Sequence, residues 1–240
     1  MKKLLFLLIF LPGIMMGQRN VKVWWFDAGL KVQYGATGLY NTAIVDDPNW
    51  NYEIGTGTSF GGKLGVNYDV HGITLDALFG SSAQPFDQAG DPNINDVKWK
   101  HTDIYLMYRN NKNLGYFELG PKYSLINSVT STPTAGPETD ISDQFSSSGL
   151  AGVLGFGVYL LGSDGAFSGI LGFRLEYGFQ DIVNDSGAAL NAPLPETSFT
   201  YGDNYAASHP IFAGISFELN FGIGYFGRAS CGGRSKFIRF

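Results

Sequence analysis

Twelve ionisable side chains recur inside otherwise largely apolar runs: Asp27, Lys31, Lys63, Asp69, Asp76, Asp103, Arg109, Glu118, Lys122, Arg174, Glu176 and Glu218. Their immediate neighbours are mostly apolar or glycine, so in an extended chain the charges fall on one face and the apolar residues on the other. Charges of both signs on one face can form ion pairs, and away from water they must be paired and hydrogen-bonded. Asp103 can reach Lys122 diagonally across a strand pair, and Arg174 lies beside Glu176 on one face. The histidines offer less. His71 falls in a turn, while His101 and His209 fall at strand ends where they could approach each other. Ser208 and His209 are adjacent, so on a strand they point to opposite faces, and there is no His-x-Ser motif. No catalytic residue, metal ligand or cofactor is expected, and the chain reads as non-enzymatic.

The elements that carry these charges have a hydrophobic period of two, the mark of β-strands. Asp27 to Tyr34 alternates without a fault, and seven further segments follow at roughly 58–70, 73–83, 99–109, 114–126, 148–160, 165–180 and 210–226. Most exceed the roughly 9–11 residues needed to cross a bilayer at a tilt of about 45°. The apolar face carries Leu30, Val32, Leu64, Leu75, Phe79, Leu106, Phe117, Leu154, Phe173, Phe217 and Leu219, with no charge in any strand. A charge facing lipid near the midplane costs about 2–4 kcal/mol, so this sorting is what a membrane barrel requires.

Connection lengths point the same way. Short turns at His71-Gly72, Asn110 to Asn113 and Leu161 to Asp164 alternate with long connections at about 39–57, 84–98, 127–147 and 181–209. Pairing across Asn110–Asn113 sets Ile104 opposite Leu119 and Tyr105 opposite Glu118, and Pro121 marks a bulge or local kink. The expected fold is all-β: an eight-stranded antiparallel up-and-down transmembrane β-barrel, with both termini on the short-turn side. An eight-stranded lumen is just wide enough for side chains to fill. Lys31, Lys63, Asp76, Asp103, Arg109, Glu118, Lys122, Arg174, Glu176 and Glu218 are therefore expected as a lumen charge network, with a narrow polar conduit among the inward glycines as the alternative. Trp24, Trp25, Tyr225 and Phe226 are expected at the interface on the short-turn side, and Tyr40, Trp50, Tyr52 and Trp99 at the other.

The ends suggest export. Lys2 and Lys3 precede an apolar stretch from Leu4 to Met16, and Gly17 suits a cleavage site, so 1–17 reads as a signal peptide. Its apolar run falls short of the roughly 20 residues of a spanning helix. Residues 18–226 form the expected barrel domain, and 227–240 a basic periplasmic tail containing the only cysteine, Cys231. Losing two lysines with the leader takes the formal charge from -5 to about -7, which argues against nucleic acid as a partner. Charged residues are 15% of the chain, against roughly 25% in a soluble domain.

The stretch Phe117-Glu118-Leu119-Gly120-Pro121-Lys122-Tyr123 and the Gly17-Gln18 junction resemble the small outer-membrane β-barrel superfamily of the OmpA-barrel, OmpX and PorT-like kind. The resemblance spans about 18–226 and rests on pattern more than on a motif. It implies an outer-membrane location, contact with lipid and lipopolysaccharide, and a structural or interaction role. For some members it implies a protein partner in secretion machinery. A small-solute pore and a lipid-modifying enzyme are the alternatives.

Overall fold

The structure is a computed structural model that describes residues 23–89, 91–112, 115–133, 136–162, 167–195, 197–202 and 204–227. The expected signal peptide and all of the expected basic tail but Gly227, Cys231 included, lie outside the described residues. No described helix is long and apolar enough to cross a membrane.

Eight long strands close on themselves. They are β1 (Val23–Tyr40), β3 (Gly55–Tyr68), β4 (His71–Gln88), β5 (Asp91–Lys112), β6 (Gly115–Pro133), β8 (Ser148–Leu161), β9 (Phe167–Gly178) and β10 (His209–Gly227). Each pairs antiparallel with the next, and β1 pairs with β10 from Val23–Gly227 to Tyr40–His209. The ring therefore has no open edge, which a sheet in lipid requires because no water is there to satisfy unpaired backbone groups. Two short strands, β2 (Trp50–Tyr52) and β7 (Thr139–Asp140), add to β4 and β6 outside the ring.

The two faces separate by alternation. Leu30, Leu64, Ile73, Phe79, Leu119, Phe156, Ile215 and Ile223 are exposed on the outside, whereas the charges are buried within. The molecule is a transmembrane β-barrel turned apolar side out. Leu30 is 64% exposed and sits next to Lys31, whose side chain is fully buried in the lumen. Leu30→Arg should destabilise the folded barrel by about 2–4 kcal/mol in lipid vesicles. An unchanged urea midpoint would show that this face does not meet hydrocarbon.

Several local expectations are corrected. The first short turn is Asp69–Val70 rather than His71-Gly72: Tyr68 pairs with His71, and Asp69 takes a φ of 56°. Asp69 is accordingly exposed at the turn instead of facing the lumen. The β5–β6 ladder runs on through Lys112–Gly115, so Arg109 faces Glu118 and Tyr105 faces Lys122, displacing the expected register by four residues. An even slip leaves every side chain on its face but changes its partner. Asn110 to Lys112 of the stretch read as loop belong to β5, and the Asn111 side chain is used there: Tyr159 Oη donates to Asn111 Oδ1 at 2.9 Å. Pro121 makes no bulge; the register is the same on both sides of it, with pairing interrupted where its missing N–H would fall. The β5–β6 bulge lies instead between Lys100 and His101.

The largest correction concerns the long connections. The 84–98 segment is no loop, because β4 and β5 stay paired up to Gln88–Asp91, and β6 follows β5 to Pro133. At about 3.3 Å per residue, the 22-residue β5 far exceeds a bilayer crossing. Above the ring, these strands and the other long connections enclose a second apolar core. It contains Leu39, Ile44, Trp50, Phe86, Val97, Trp99, Val129, Ile141, Phe145, Leu194 and Phe199. Trp50 and Trp99, expected at the interface, are buried in this cap at 7% and 5% exposure, and Tyr52 packs edge-on against Phe86. Trp24 and Trp25 also part: Trp24 is exposed and stacks obliquely on Tyr68, while Trp25 falls on the lumen parity and is half-buried. Tyr225 and Phe226 pair through their backbones with Trp25 and Trp24, and their side chains lie outside the described set.

Candidate functional site: the lumen and its cap

Lumen-facing residues enter from every strand of the ring, and the large ones are accommodated because their neighbours are glycines. A Cβ on Gly155 would meet Glu118 Cγ at 2.8 Å, and one on Gly65 would meet Asp27 Oδ1 at 2.2 Å. Inward glycines such as these create space that long polar side chains fill.

The ion pairs form two layers. In the layer nearer the turns, Lys31 Nζ lies 2.6 Å from both Asp76 and Glu218. Lys63 contacts Glu218 at 3.2 Å and Asp27 at 3.7 Å. Arg109 bridges Glu118 at 2.6 Å and Glu218 at 2.8 Å, and its guanidinium lies over the Tyr116 ring. Arg174 reaches Glu118 at 2.7 Å and Asp76 at 2.9 Å. Four cations thus meet four anions, each side chain at most 5% exposed. Formal neutrality matters here, because an unmatched charge away from water is costly.

The layer nearer the cap is smaller. Lys122 contacts Glu176 at 2.7 Å and Asp103 at 3.4 Å, and Tyr105 Oη lies 3.1 Å from a carboxylate oxygen of each. Arg174 therefore pairs with Glu118 and Asp76 instead of its strand neighbour Glu176. Leu78, Tyr105, Met107 and Val153 form a buried apolar cluster on the lumen side.

The cap is tied together by polar groups. Asn41 Oδ1 accepts from the amides of Ala43 and Ile44, capping helix α1 (Thr42–Val45), while its Nδ2 lies 2.8 Å from Ala206 O and 2.9 Å from Ser208 Oγ. Asn184 caps α2 (Asp185–Ala189) and donates to Asp143 O at 2.7 Å. Asp181 accepts from the amides of Val183 and Ser208 and from Tyr205 Oη. Burial pushes the Tyr201 hydroxyl up to about 12, against the hydrogen bonds from Asn41 and Ser208, so it remains a donor to Ala192 O. Several acidic residues of the long connections thus organise turns. Among the described residues no group of three or more His, Cys, Asp or Glu could hold a metal ion.

The histidines are not brought together. His71 opens β4 and stacks on Tyr108, and His209 stacks on Tyr177. His101 faces a cavity between the upper ion pairs and the cap, where its ring nitrogens meet Ser82 and Asp103. Sequence reading paired His101 with His209 because both lie near strand ends. The Ser82 contact depends on the β4–β5 register, which places Gly80 opposite His101.

The class these features define is a small transmembrane β-barrel with an ion-paired lumen and a folded cap. No protein-family model and no curated protein matches the chain. Among solved structures it is similar to Neisserial surface protein A (11% identity, 85% of this chain and 99% of that one, TM-score 0.38). It is also similar to Ail, the attachment invasion locus protein of Yersinia pestis, solved with the heparin analogue sucrose octasulfate (12% identity, 80% and 98%, TM-score 0.37). A third is the translocator domain of autotransporter NalP from Neisseria meningitidis (11% identity, 92% and 94%, TM-score 0.25). At such identities and scores, the barrel assignment rests on this chain's own closed ladder.

Proposed function

We propose that this protein is a non-conducting outer-membrane barrel that anchors a folded external cap, with a structural or interaction role in the cell envelope. The observation that carries this reading is a double closure: an ion-pair plug with a neutral lower layer spans the lumen, and an apolar core drawn from three long connections and the extended β4–β5 hairpin covers one mouth. The apolar outside meets outer-membrane lipid, with lipopolysaccharide as the partner in the outer leaflet. The outer ends of the first and last strands, Val23 and Gly227, lie at the short-turn end, which faces the periplasm in this orientation, leaving the cap outside. The cap exposes Val45, Ile54, Leu190 and Tyr205, side chains available to a protein partner such as a secretion component.

Planar-bilayer recording of the purified, refolded protein tests the reading. The plugged barrel is expected to add no steps above the bare membrane. Reproducible unitary currents from the wild-type chain would replace the anchoring role with that of a small-solute pore.

A further inference from the structure

Between the upper ion pairs and the cap lies a cavity with about 60 Å³ of space for the centres of water-sized spheres, enough for several waters or a small functional group. Ser82 and His101 project into it from β4 and β5. Ser82 Oγ is 3.2 Å from His101 Nε2, and His101 Nδ1 is 3.0 Å from Asp103 Oδ2. All three residues are buried, with exposures of 7%, 8% and 1%. The Nδ1 contact is close but off the line of the ring N–H, and such contacts commonly tighten only when substrate is bound. Asp103 is held by Lys122 and Tyr105.

A buried Ser–His–Asp chain can be purely structural, but two observations point beyond that. First, Gly80 makes room for the imidazole: a Cβ there would come within 2.5 Å of His101 Cε1 and 2.9 Å of Nε2, pushing the ring off its position beside Ser82. Second, Gln33 lines the same cavity with a buried Nε2 that has no partner among the described residues, while its Oε1 accepts from Ser59 Oγ at 2.9 Å. An unpaired buried N–H donor carries a desolvation penalty, which a bound acceptor would relieve.

We propose that Ser82 and His101 are the nucleophile and base of a carboxylic-ester hydrolase site within the barrel, with Asp103 orienting the imidazole. Trp99, Ile126, Ile182 and Phe212 give the cavity apolar walls, so the substrate class is an ester of an apolar acyl group. The lining reaches Leu150 and Ile211 at the cap ends of β8 and β10, where the β8–β9 and β9–β10 ladders stop, and entry is from there. Ser82 Oγ attacks the carbonyl carbon as its proton passes to Nε2, with Gln33 Nε2 as donor to the developing oxyanion. The C–O bond then breaks and the imidazolium proton goes to the departing alcohol, leaving acyl-Ser82. Water, deprotonated by Nε2, attacks the acyl carbon; the acid leaves and Ser82 regains its proton. This activity goes beyond the anchoring role, which holds whether or not the site turns over.

The test uses the full barrel folded in detergent, with heat-modifiable migration confirming the fold. A fluorophosphonate should modify wild type at Ser82, located by peptide mass spectrometry, and p-nitrophenyl butyrate should be hydrolysed. Ser82→Ala should abolish both. His101→Gln should slow labelling by about 100-fold or more. If His101→Gln does not fold, wild type unfolded in urea should leave Ser82 unlabelled, because an alkoxide-like serine requires the assembled site. Folded wild type left unmodified at Ser82, undiminished labelling of folded His101→Gln, or equal labelling of folded and urea-unfolded wild type overturns the proposal.

Discussion

Arg174→Met is expected to destabilise the barrel by about 3–5 kcal/mol without opening a conducting path. Arg174 is fully buried, bridges Glu118 and Asp76, and lies over the Tyr105 ring. Its loss leaves three cations facing four anions in the lower layer, where every charged side chain is at most 5% exposed. Removing one partner of a buried pair is far more harmful than removing both, because the remaining charge is left uncompensated. Adding Asp76→Asn, which restores three against three, should therefore recover a substantial part of the loss. Urea unfolding in lipid vesicles measures each variant, and bilayer recording follows the lumen. Additive losses in the double variant would mean that the two groups do not act as a pair. A stable Arg174→Met barrel with new unitary currents would show that the plug is a gate rather than a support.

Phe86→Ala is expected to loosen the cap by about 3–5 kcal/mol while leaving the membrane-embedded ring folded. Phe86 is fully buried in the cap core, beside Tyr52 and among apolar residues from the long connections and the extended β4–β5 hairpin. It lies beyond the plug, on the part of β4 that pairs with Asn95 and with Tyr52 of β2. Limited proteolysis should cut the 41–54 and 179–208 connections faster in the variant, whereas heat-modifiable migration should persist. An equal shift of cap and barrel unfolding would show that the two halves melt as a single unit.

What could be read in the chain alone is what alternation determines. A period of two is a local property of extended backbone, so Leu30 beside Lys31 and Leu119 beside Glu118 assign their faces without knowledge of any neighbour. Burial of one face and exposure of the other follow once eight such strands close. The tertiary structure decided the partners. Arg109 meets Glu118 through a register that runs on to the Lys112–Gly115 pair, and Lys31 meets Asp76 across strands separated in sequence. The cap was equally hidden: Ile44, Ile141, Phe145 and Leu194 are scattered without period in polar segments, and their association depends on where four strand ends stand around one mouth. Ser82 and His101 belong to this second kind. Neither position is unusual in its own strand, and their contact exists because Gly80 leaves a gap at the one register that brings them together. Face is dictated by bonded geometry within a few residues, whereas contact across a lumen requires the whole ring to close first.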